Sequence, residues 1–242
     1  MRAAAAILVI LCGCDRLFAL DHVDPIDGDV DGQGLACAAH ELCDDFDREP
    51  PIEGLWDKRV EMGGAALVLS PTDSVSAPNS LLVSVPYPPN LAYLEKDLDS
   101  ASTSVNVGVA LALEPMDATT ELDLLAIEWG IAPAPCTGVS FILVTQAQPR
   151  TLALQETYTG CGGLRYSTLV ADMPGFHTVT VSISVGTPSS ITIEIDRTKV
   201  LAKDLAVSLP PAPVKFRIGA QYVGGATAPS SLRFDDVTAD TE

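Results

Sequence analysis

The sequence predicts an all-β fold in which two antiparallel sheets pack face to face as a sandwich. Apolar residues alternate with polar or small residues along many short segments, and clusters of proline, glycine, serine and asparagine separate those segments. No segment keeps a helical period of apolar residues. Alternation with a period of two is typical of half-buried strands, and many such strands at short, even spacing form antiparallel sandwiches.

The clearest strands lie in the middle and late parts of the chain, where valine, leucine or isoleucine occupies every second position. These segments are TSVNVGVALAL, HTVTVSISV and SITIEID. Their odd-numbered residues are expected to face the core, because successive side chains of a strand point to opposite faces. Further strands are predicted at AALVLS, SLLVSV, LDLLAIEW, GVSFILVT, TLALQETY, VKFRIGAQY and SLRFDDVTA, with turns at SAPN, PYPPN, GTPSS, LPPAP and GGATAPS.

The chain begins with a segment that is typical of exported proteins. Residues 1–13 carry Arg2 and then an apolar run that is shorter than the roughly 20 residues a membrane helix needs, which predicts a cleaved signal peptide. The stretch LCGC at 11–14 resembles the lipobox of bacterial lipoproteins. This resemblance implies that Cys14 carries a palmitate-containing lipid, which would anchor the protein in the cell envelope. The outer membrane or cell surface is the preferred location, and the inner membrane is left open as the alternative. An ordinary signal peptide with incidental cysteines is the alternative.

Residues 14–36, which would carry this anchor, are predicted to be an acidic linker. They are rich in aspartate and glycine and poor in apolar residues, so they cannot bury enough surface to fold by themselves. The stretch DGDVDG at 27–32 matches the first half of a calcium-binding loop. Such a loop needs a bidentate glutamate at its twelfth position, where this chain has Ala38. A solvated spacer is the preferred interpretation.

The remaining residues, 37–242, are predicted to form one β-sandwich domain, since no long apolar run, low-complexity break or repeat divides them. The chain has 14 Lys and Arg against 32 Asp and Glu, a formal net charge of −18. Such a chain repels phosphate backbones, so nucleic acid is not an expected partner. The basic residues are scattered, so contact with a membrane is expected only through the lipid anchor.

The order of features in this domain resembles a known superfamily. CDDFD opens the domain, GLWDKRVEMGGAALVLSPTDSVSAPNSLLVSVP follows, and FHTVTVSISVGTPSSITIEIDRTKVL precedes a closing SSLRFDDVTAD. This pattern resembles concanavalin A-like jelly rolls, in particular laminin-G-like domains of bacterial surface proteins, over most of residues 43–240. In those domains an aromatic-His pair starts a strand and a partner strand ends in Asp-Gly; here Phe176-His177 and Asp196-Arg197 occupy these places. The resemblance implies the fold and leaves the function open, because such sandwiches host lectins, glycosidases, lyases and adhesion modules.

Apart from Cys12 and Cys14, the chain has four cysteines, Cys37, Cys43, Cys136 and Cys161, and an even number in an exported chain favours disulfides. GVSFILVT and TLALQETY flank QAQPR and are predicted to form a hairpin. If Ala147 lies opposite Arg150, the same register continued along the strands places Cys136 opposite Cys161, within disulfide reach. Cys37 and Cys43 would then pair locally. Reduced thiols or a zinc site are the weaker alternatives, since no C-x-x-C spacing is present.

No catalytic residue is predicted from the motifs. HELCD at His40 begins like the zinc motif H-E-x-x-H but has Asp44 in the fifth position, and the chain has no G-x-S-x-G elbow or phosphate-binding loop. Glu121 and Asp123 share a strand face, as the carboxyl pair of a retaining glycosidase would. Glu128 has the opposite parity, so the pair is interpreted as the edge of a loop.

The function expected from these observations is a binding or adhesion module for a glycan or protein ligand, displayed on the lipid anchor and not an enzyme. A glycoside hydrolase or polysaccharide lyase of the jelly-roll type is one alternative, and a passive structural component of the envelope is another. Sugar sites need exposed aromatic side chains, and the candidates are Trp56 and Tyr87 in predicted loops. Trp129 shares the parity of Leu125 and Ile127 and is expected in the core.

The two ends of the domain, CDDFD and FDDV, are expected to lie on neighbouring strands with Phe46 and Phe234 in the core. The aspartates beside them would then crowd together, which raises carboxyl pKa values unless a cation relieves the repulsion. In several carbohydrate-binding relatives a structural calcium fills this place, so the resemblance implies Asp45 and Asp236 as weak candidate ligands. Exposed acids without a metal are the plainer interpretation.

Overall fold

A computed structural model describes residues 37–47, 52–86, 90–114, 120–146, 151–171, 173–226 and 228–242. The predicted signal peptide, Cys14, the acidic linker and Tyr87 lie outside these ranges. Within them, fifteen β-strands and two short 3-10 helices, Cys37–Ala39 and Ile52–Leu55, make up the regular structure. No helix of the described ranges is long and apolar enough to cross a membrane.

Every pair of neighbouring strands is antiparallel. In chain order the strands are β1 (Leu42–Asp44), β2 (Lys58–Met62), β3 (Ala66–Ser70), β4 (Ser80–Val85), β5 (Leu91–Ser102), β6 (Ser104–Leu113), β7 (Glu121–Trp129), β8 (Gly138–Gln146), β9 (Thr151–Thr159), β10 (Gly163–Ala171), β11 (Phe176–Ser184), β12 (Ser190–Ile195), β13 (Thr198–Asp204), β14 (Ala212–Gly224) and β15 (Ser230–Thr241).

Two sheets build the sandwich. The eight-stranded sheet has the order β13-β12-β11-β6-β15-β4-β3, with β1 paired to β15, and the seven-stranded sheet has the order β10-β9-β8-β7-β14-β5-β2. A single cluster of buried apolar side chains fills the space between them. The prediction of an antiparallel jelly-roll sandwich is confirmed.

The alternation of apolar residues decides which side chains reach this core. Val105, Val107 and Val109 of β6 are buried, and Val107 and Val109 lie directly opposite the buried Val181 and Val179 of β11. The register between strands therefore keeps the apolar face of each strand on the same side, as the period of two predicts.

The first and last strands of the domain are neighbours, as predicted. Leu42 and Asp44 of β1 lie opposite Ala239 and Val237 of β15. Phe46 and Phe234 are fully buried. This pairing attaches β1 to the eight-stranded sheet and brings the acidic residues of both segments close together.

The structure also gives a physical reason for the Phe176-His177 and Asp196-Arg197 pattern. Asp196 and Arg197 form the turn between β12 and β13 and both adopt a positive φ, which explains why related turns use Asp-Gly. The Asp196 carboxylate accepts the N–H of Thr178 at 3.0 Å and lies 2.6 Å from His177 Nδ1. The hydrogen bond from His177 holds the pKa of Asp196 below its usual range. His177 therefore has a structural role, at the start of β11.

Both predicted disulfides are present. Strands β8 and β9 pair with Gly138 opposite Thr159 and Gln146 opposite Thr151, which is the predicted register. The same register continued beyond Gly138 brings the Cα atoms of Cys136 and Cys161 to 4.8 Å. The second bridge joins Cys37 to Cys43, with their Cα atoms 5.2 Å apart.

Candidate active site

The seven-stranded sheet packs one face on the core and leaves the other, called the open face here, exposed to solvent. Directly opposed residues of antiparallel strands point to the same face, so the register defines rows of side chains across this surface. One row crosses all seven strands and consists of Tyr166, Gln155, Ile142, Ala126, Arg217, Glu95 and Lys58. The open face is therefore a continuous surface on which residues from distant parts of the sequence meet.

Two irregularities interrupt this surface at the same level in neighbouring strands. In β7, pairing with β8 shifts between Asp123 and Leu125, so that Leu124 is an extra residue. In β14, pairing with β7 shifts between Ile218 and Tyr222. Bulges of this kind bend a strand and re-aim its side chains, and they are frequent beside active sites.

Gly219 is required for the irregularity in β14. Its φ is +124°, and a Cβ atom at this position would lie 2.3 Å from the carbonyl oxygen of Ala92 and 2.7 Å from the Cα of Tyr93. A side chain fits neither this backbone conformation nor this close approach to β5. The glycine in the FRIGAQY segment therefore marks the place where the sheet is distorted.

Glu121 and Asp123 form a carboxyl pair at the start of β7, next to these bulges. They occupy alternate positions, so both belong to the open face. Burial, and then the charge of Glu121, raises the pKa of Asp123 to about 6. A carboxyl group that titrates near neutral pH is well suited to accept or release a proton during a reaction. Asp123 is the strongest candidate for an acid–base residue on this face.

Two exposed tyrosines lie around this pair. Tyr222 is directly opposite Asp123 across the β7–β14 pairing, and its hydroxyl lies over Gly224, the residue opposite Glu121. Tyr166 comes from β10, but partial burial and then the charges of Glu121 and Asp123 raise its pKa, so it lies within electrostatic reach of the pair. Tyr222 is 52% exposed and Tyr166 46% exposed. Among the described residues neither hydroxyl has a hydrogen-bond partner, so both are free to bind a ligand.

The cations of the open face lie beside this cluster and are engaged in ion pairs. Arg217 Nε lies 2.5 Å from Glu95 Oε2, and its Nη1 and Nη2 donate to Glu128 at 2.6 and 3.1 Å. Lys215 Nζ lies 2.9 Å from both Glu95 and Asp97. Burial opposes the charge of Arg217, but Glu95 and Glu128 outweigh it and hold the pKa of Arg217 above its ordinary value.

The position of Glu128 differs from the sequence-based expectation. Counting residues from Asp123 gives Glu128 the opposite parity, yet it points to the open face and binds Arg217. The reason is the extra residue in β7: Leu122 and Leu124 are buried before the bulge, and Leu125 and Ile127 are buried after it. Alternation predicts a shared face only while the ladder stays regular.

Of the two aromatic residues proposed from the sequence as sugar platforms, Tyr87 lies outside the described residues and Trp56 does not form part of this site. Trp56 is buried, donates its Nε1–H to Asp44 at 2.7 Å and packs against Phe216 at 5.9 Å between ring centroids. Trp129 is buried, as expected, and its indole N–H donates to the Pro210 carbonyl. Tyr166 and Tyr222 were missed because isolated tyrosines at strand positions carry no signal for exposure in the sequence.

The carboxylates of the aspartates at the two ends of the domain accept hydrogen bonds from neighbouring groups. The carboxylate of Asp235 is buried and accepts the backbone N–H groups of Val75 and Ser76, and burial raises its pKa to about 6. Asp45 accepts the N–H of Asp47, and Asp236 accepts the Ser76 hydroxyl. Among the described residues no group of three or more His, Cys, Asp or Glu side chains is arranged to hold a metal ion. Calcium at Asp45 and Asp236 stays a prediction of the resemblance alone.

Comparison with known proteins gives a match at the level of structure. No protein-family model matches the chain. No curated protein matches its sequence either. An endo-β-1,4-glucuronan lyase from the fungus Trichoderma reesei superimposes with a TM-score of 0.63 at 15% identity, covering 84% of this chain and 96% of the lyase. The cellulose-induced protein Cip1 superimposes with a TM-score of 0.58 at 16% identity, covering 84% of this chain and 98% of Cip1. An alginate lyase from a Chlorella virus superimposes with a TM-score of 0.55 at 8% identity, covering 78% of this chain and 93% of the lyase. These likenesses show that the chain has the jelly-roll fold of these proteins.

This result corrects the leading functional expectation from the sequence. A binding or adhesion module without catalysis was expected, with no catalytic residue. The solved structures that share the fold include several polysaccharide lyases, and the findings favour the enzymatic alternative over the module. The error has a physical cause: the tyrosines and carboxyl groups of the open face are brought together by strand order, and no local motif records this.

Proposed function

We propose that this chain is a polysaccharide lyase that cleaves a glycan containing uronic acid on the open face of the seven-stranded sheet. One observation carries the proposal: beside paired bulges, Asp123, whose pKa lies near neutral pH, is directly opposite the exposed Tyr222 and within electrostatic reach of the exposed Tyr166. The similarity in fold to a glucuronan lyase and an alginate lyase supports the reaction class. A glycan is accordingly the proposed ligand.

The reaction needs one base and one acid. In a uronic acid residue the C5–H bond is adjacent to the carboxyl carbon, and the chain is linked through O4. A base removes the C5 proton, the electron pair forms a C4=C5 double bond, the C4–O4 bond breaks, and an acid protonates O4 of the departing chain. No water is consumed.

The side chains of the cluster can fill these two roles. Asp123 is the candidate base, because a carboxylate with a pKa of about 6 is ionised at neutral pH and still holds a proton well enough to remove one. Tyr166 and Tyr222 are the candidate acids. The raised pKa of Tyr166 keeps its hydroxyl protonated, so it can donate to the leaving oxygen.

Hydrolysis is the second candidate, favoured by a different observation. Glu121 and Asp123 alternate on one strand and the pKa of Asp123 is raised, which is the arrangement by which glycosidases separate an acid from a nucleophile. A hydrolase would add water across the glycosidic bond and leave no double bond in the product.

One experiment distinguishes the two reactions. The full-length chain is incubated with glucuronan, alginate and homogalacturonan, each as the free acid and as the methyl ester, and both the reducing ends and the ultraviolet absorbance of the unsaturated uronate are followed. The proposal expects both signals to rise together and to be lost in Asp123→Asn. Asp204→Asn, an exposed carboxyl at the end of β13, is the matched control and should keep full activity. Reducing ends without absorbance would favour hydrolysis, and no cleavage of any uronan by a folded protein would contradict the lyase.

The site of action is a separate proposal, which rests on the N-terminal sequence alone. We propose that Cys14 is lipidated after removal of residues 1–13 and that the enzyme acts at the bacterial envelope, where exported glycans are accessible. The two disulfides are in keeping with an exported protein.

A further inference from the structure

The charges of the open face constrain which uronic acid residues can bind there. Among the described residues, this face carries the cations Lys58, Lys215 and Arg217 and the carboxylates Glu95, Asp97, Glu121, Asp123 and Glu128. The carboxylates outnumber the cations, and the chain as a whole has a net charge of −18. Free polyuronates carry one negative charge per uronic acid residue, so the field of this surface repels them.

The two cations nearest the acid–base cluster are not available to a substrate carboxylate. Arg217 binds Glu95 through Nε and binds Glu128 through both terminal nitrogens. Its Cζ atom also lies 5.6 Å from the centroid of the Tyr93 ring. Lys215 is held between Glu95 and Asp97. A free uronate would have to displace a carboxylate from one of these pairs.

The remaining cation is distant from the reaction centre. Lys58 lies on the edge strand β2, and β5 and β14 separate it from β7, which carries Glu121 and Asp123. At a spacing of about 4.8 Å between strands, Lys58 is roughly 14 Å from the β7 backbone. Tyr166 is as many strands away on the other side, and its pKa is raised by burial and then by the charges of Glu121 and Asp123. The charge of Lys58, in contrast, has no part in the pKa shift of Asp123. Lys58 therefore does not neutralise a carboxylate whose C5–H faces Asp123.

The lack of an available cation near Asp123 matters for the elimination reaction, because negative charge develops at C5, beside the carboxyl carbon. A free carboxylate opposes that charge and needs a neighbouring cation to offset it. An ester carbonyl carries no charge and accepts the developing electron density by itself. Resting on the proposed lyase function, we infer that the open face binds uronic acid residues whose carboxyl group is uncharged, such as methyl esters, in preference to free uronates.

The test compares matched polymers that differ only in esterification. Glucuronan and homogalacturonan are each prepared as methyl ester and as free acid, and the full-length chain is assayed for elimination rate and, by calorimetry, for affinity at constant ionic strength near pH 6. Blanks without enzyme correct for spontaneous elimination of the esters. We expect the ester to be preferred by at least about tenfold, the factor that corresponds to one unfavourable contact between like charges of about 1.4 kcal/mol.

Two variants test the origin of the preference. Glu128→Gln releases the terminal nitrogens of Arg217, and Glu121→Gln removes a repelling carboxylate beside Asp123. Each is expected to lower the ratio of ester to free-acid affinity by severalfold, whereas Asp204→Asn should leave it unchanged. A ratio measured within one variant does not depend on how much of the protein is folded.

The outcomes separate this inference from the proposed function. Esters that bind more tightly but are not cleaved would contradict the lyase and support the inference about ligand charge. Cleavage of the free acids as fast as the esters would support the lyase and overturn the inference. Equal affinity for both forms, or no binding of either, would also overturn it.

Discussion

Asp123 lies directly opposite Tyr222 across the β7–β14 pair, at the level where both strands leave the regular ladder. Alternation along β7 places this carboxyl group beside Glu121, and burial, followed by the charge of Glu121, raises the pKa of Asp123 to about 6. The carboxyl pair and the bulges therefore lie at the same place on the open face.

The first prediction concerns the pH dependence of activity. If Asp123 is the base, only its ionised form removes the C5 proton, so kcat/KM should rise with pH through about 6 and level off above it. Asp123→Asn should lower kcat/KM by about 10²- to 10⁴-fold. The measurement is the initial rate of unsaturated product between pH 4 and pH 8. A rate that is independent of pH across this range would exclude Asp123 as the base.

The second prediction is that the same substitution stabilises the fold. Because the pKa of Asp123 is raised above its ordinary value of about 3.9, the ionised carboxyl destabilises the folded state, and stability is lost as pH rises from about 4 through about 6. Asp123→Asn removes this loss and should increase the free energy of unfolding at pH 7 by about 3 kcal/mol. The gain should disappear near pH 4. Urea unfolding at the two pH values measures it, with Asp204→Asn, which removes an exposed carboxyl group, as the control variant.

Much of the fold could be predicted from the sequence, because alternation and hairpin register are local properties. The pairing of β8 with β9 follows from the short connection between them. The same register places Cys136 opposite Cys161, so the disulfide follows from the pairing. The site could not be predicted in the same way. The extra residue in β7 reverses the parity of Glu128, and Tyr166 reaches the carboxyl pair from a strand three positions away in the sheet. The one local signal was Gly219, since glycine inside a strand often marks a bulge.

The third prediction assigns the general acid. Tyr166→Phe and Tyr222→Phe each remove one hydroxyl and keep the ring. The tyrosine that protonates O4 should show a fall in kcat of about 10²-fold or more with little change in KM, and the other should show mainly a change in KM. A substrate with a better leaving group at O4 should recover activity only in the variant that lacks the acid. Full activity in both variants would exclude the tyrosines from the reaction.

The fourth prediction tests the lipid anchor. Cys14→Ala should abolish metabolic labelling with palmitate and leave an unprocessed or soluble protein, because a cysteine is required for acylation at this place. Cys12→Ala, two residues earlier in the same segment, is the control and should keep the label. Label that persists in Cys14→Ala would contradict the lipoprotein proposal.

The last prediction concerns Gly219. Two features require a glycine here, the positive φ and the close approach of β14 to β5, and a control variant can distinguish them. In Gly219→Ala the new Cβ would lie 2.3 Å from the Ala92 carbonyl oxygen, so β14 must move away from β5. Gly163→Ala is the matched control, because Gly163 also has a positive φ, of +72°, but its Cβ would meet nothing within 4 Å. The control should lose only the backbone cost of about 1 kcal/mol, whereas Gly219→Ala should lose about 3 kcal/mol or more. Since the displaced strand carries Tyr222 and Arg217, the surviving folded fraction of Gly219→Ala should also have a lower kcat. Equal losses of stability in the two variants, measured by urea unfolding, would show that the close approach of β14 to β5 does not constrain this position.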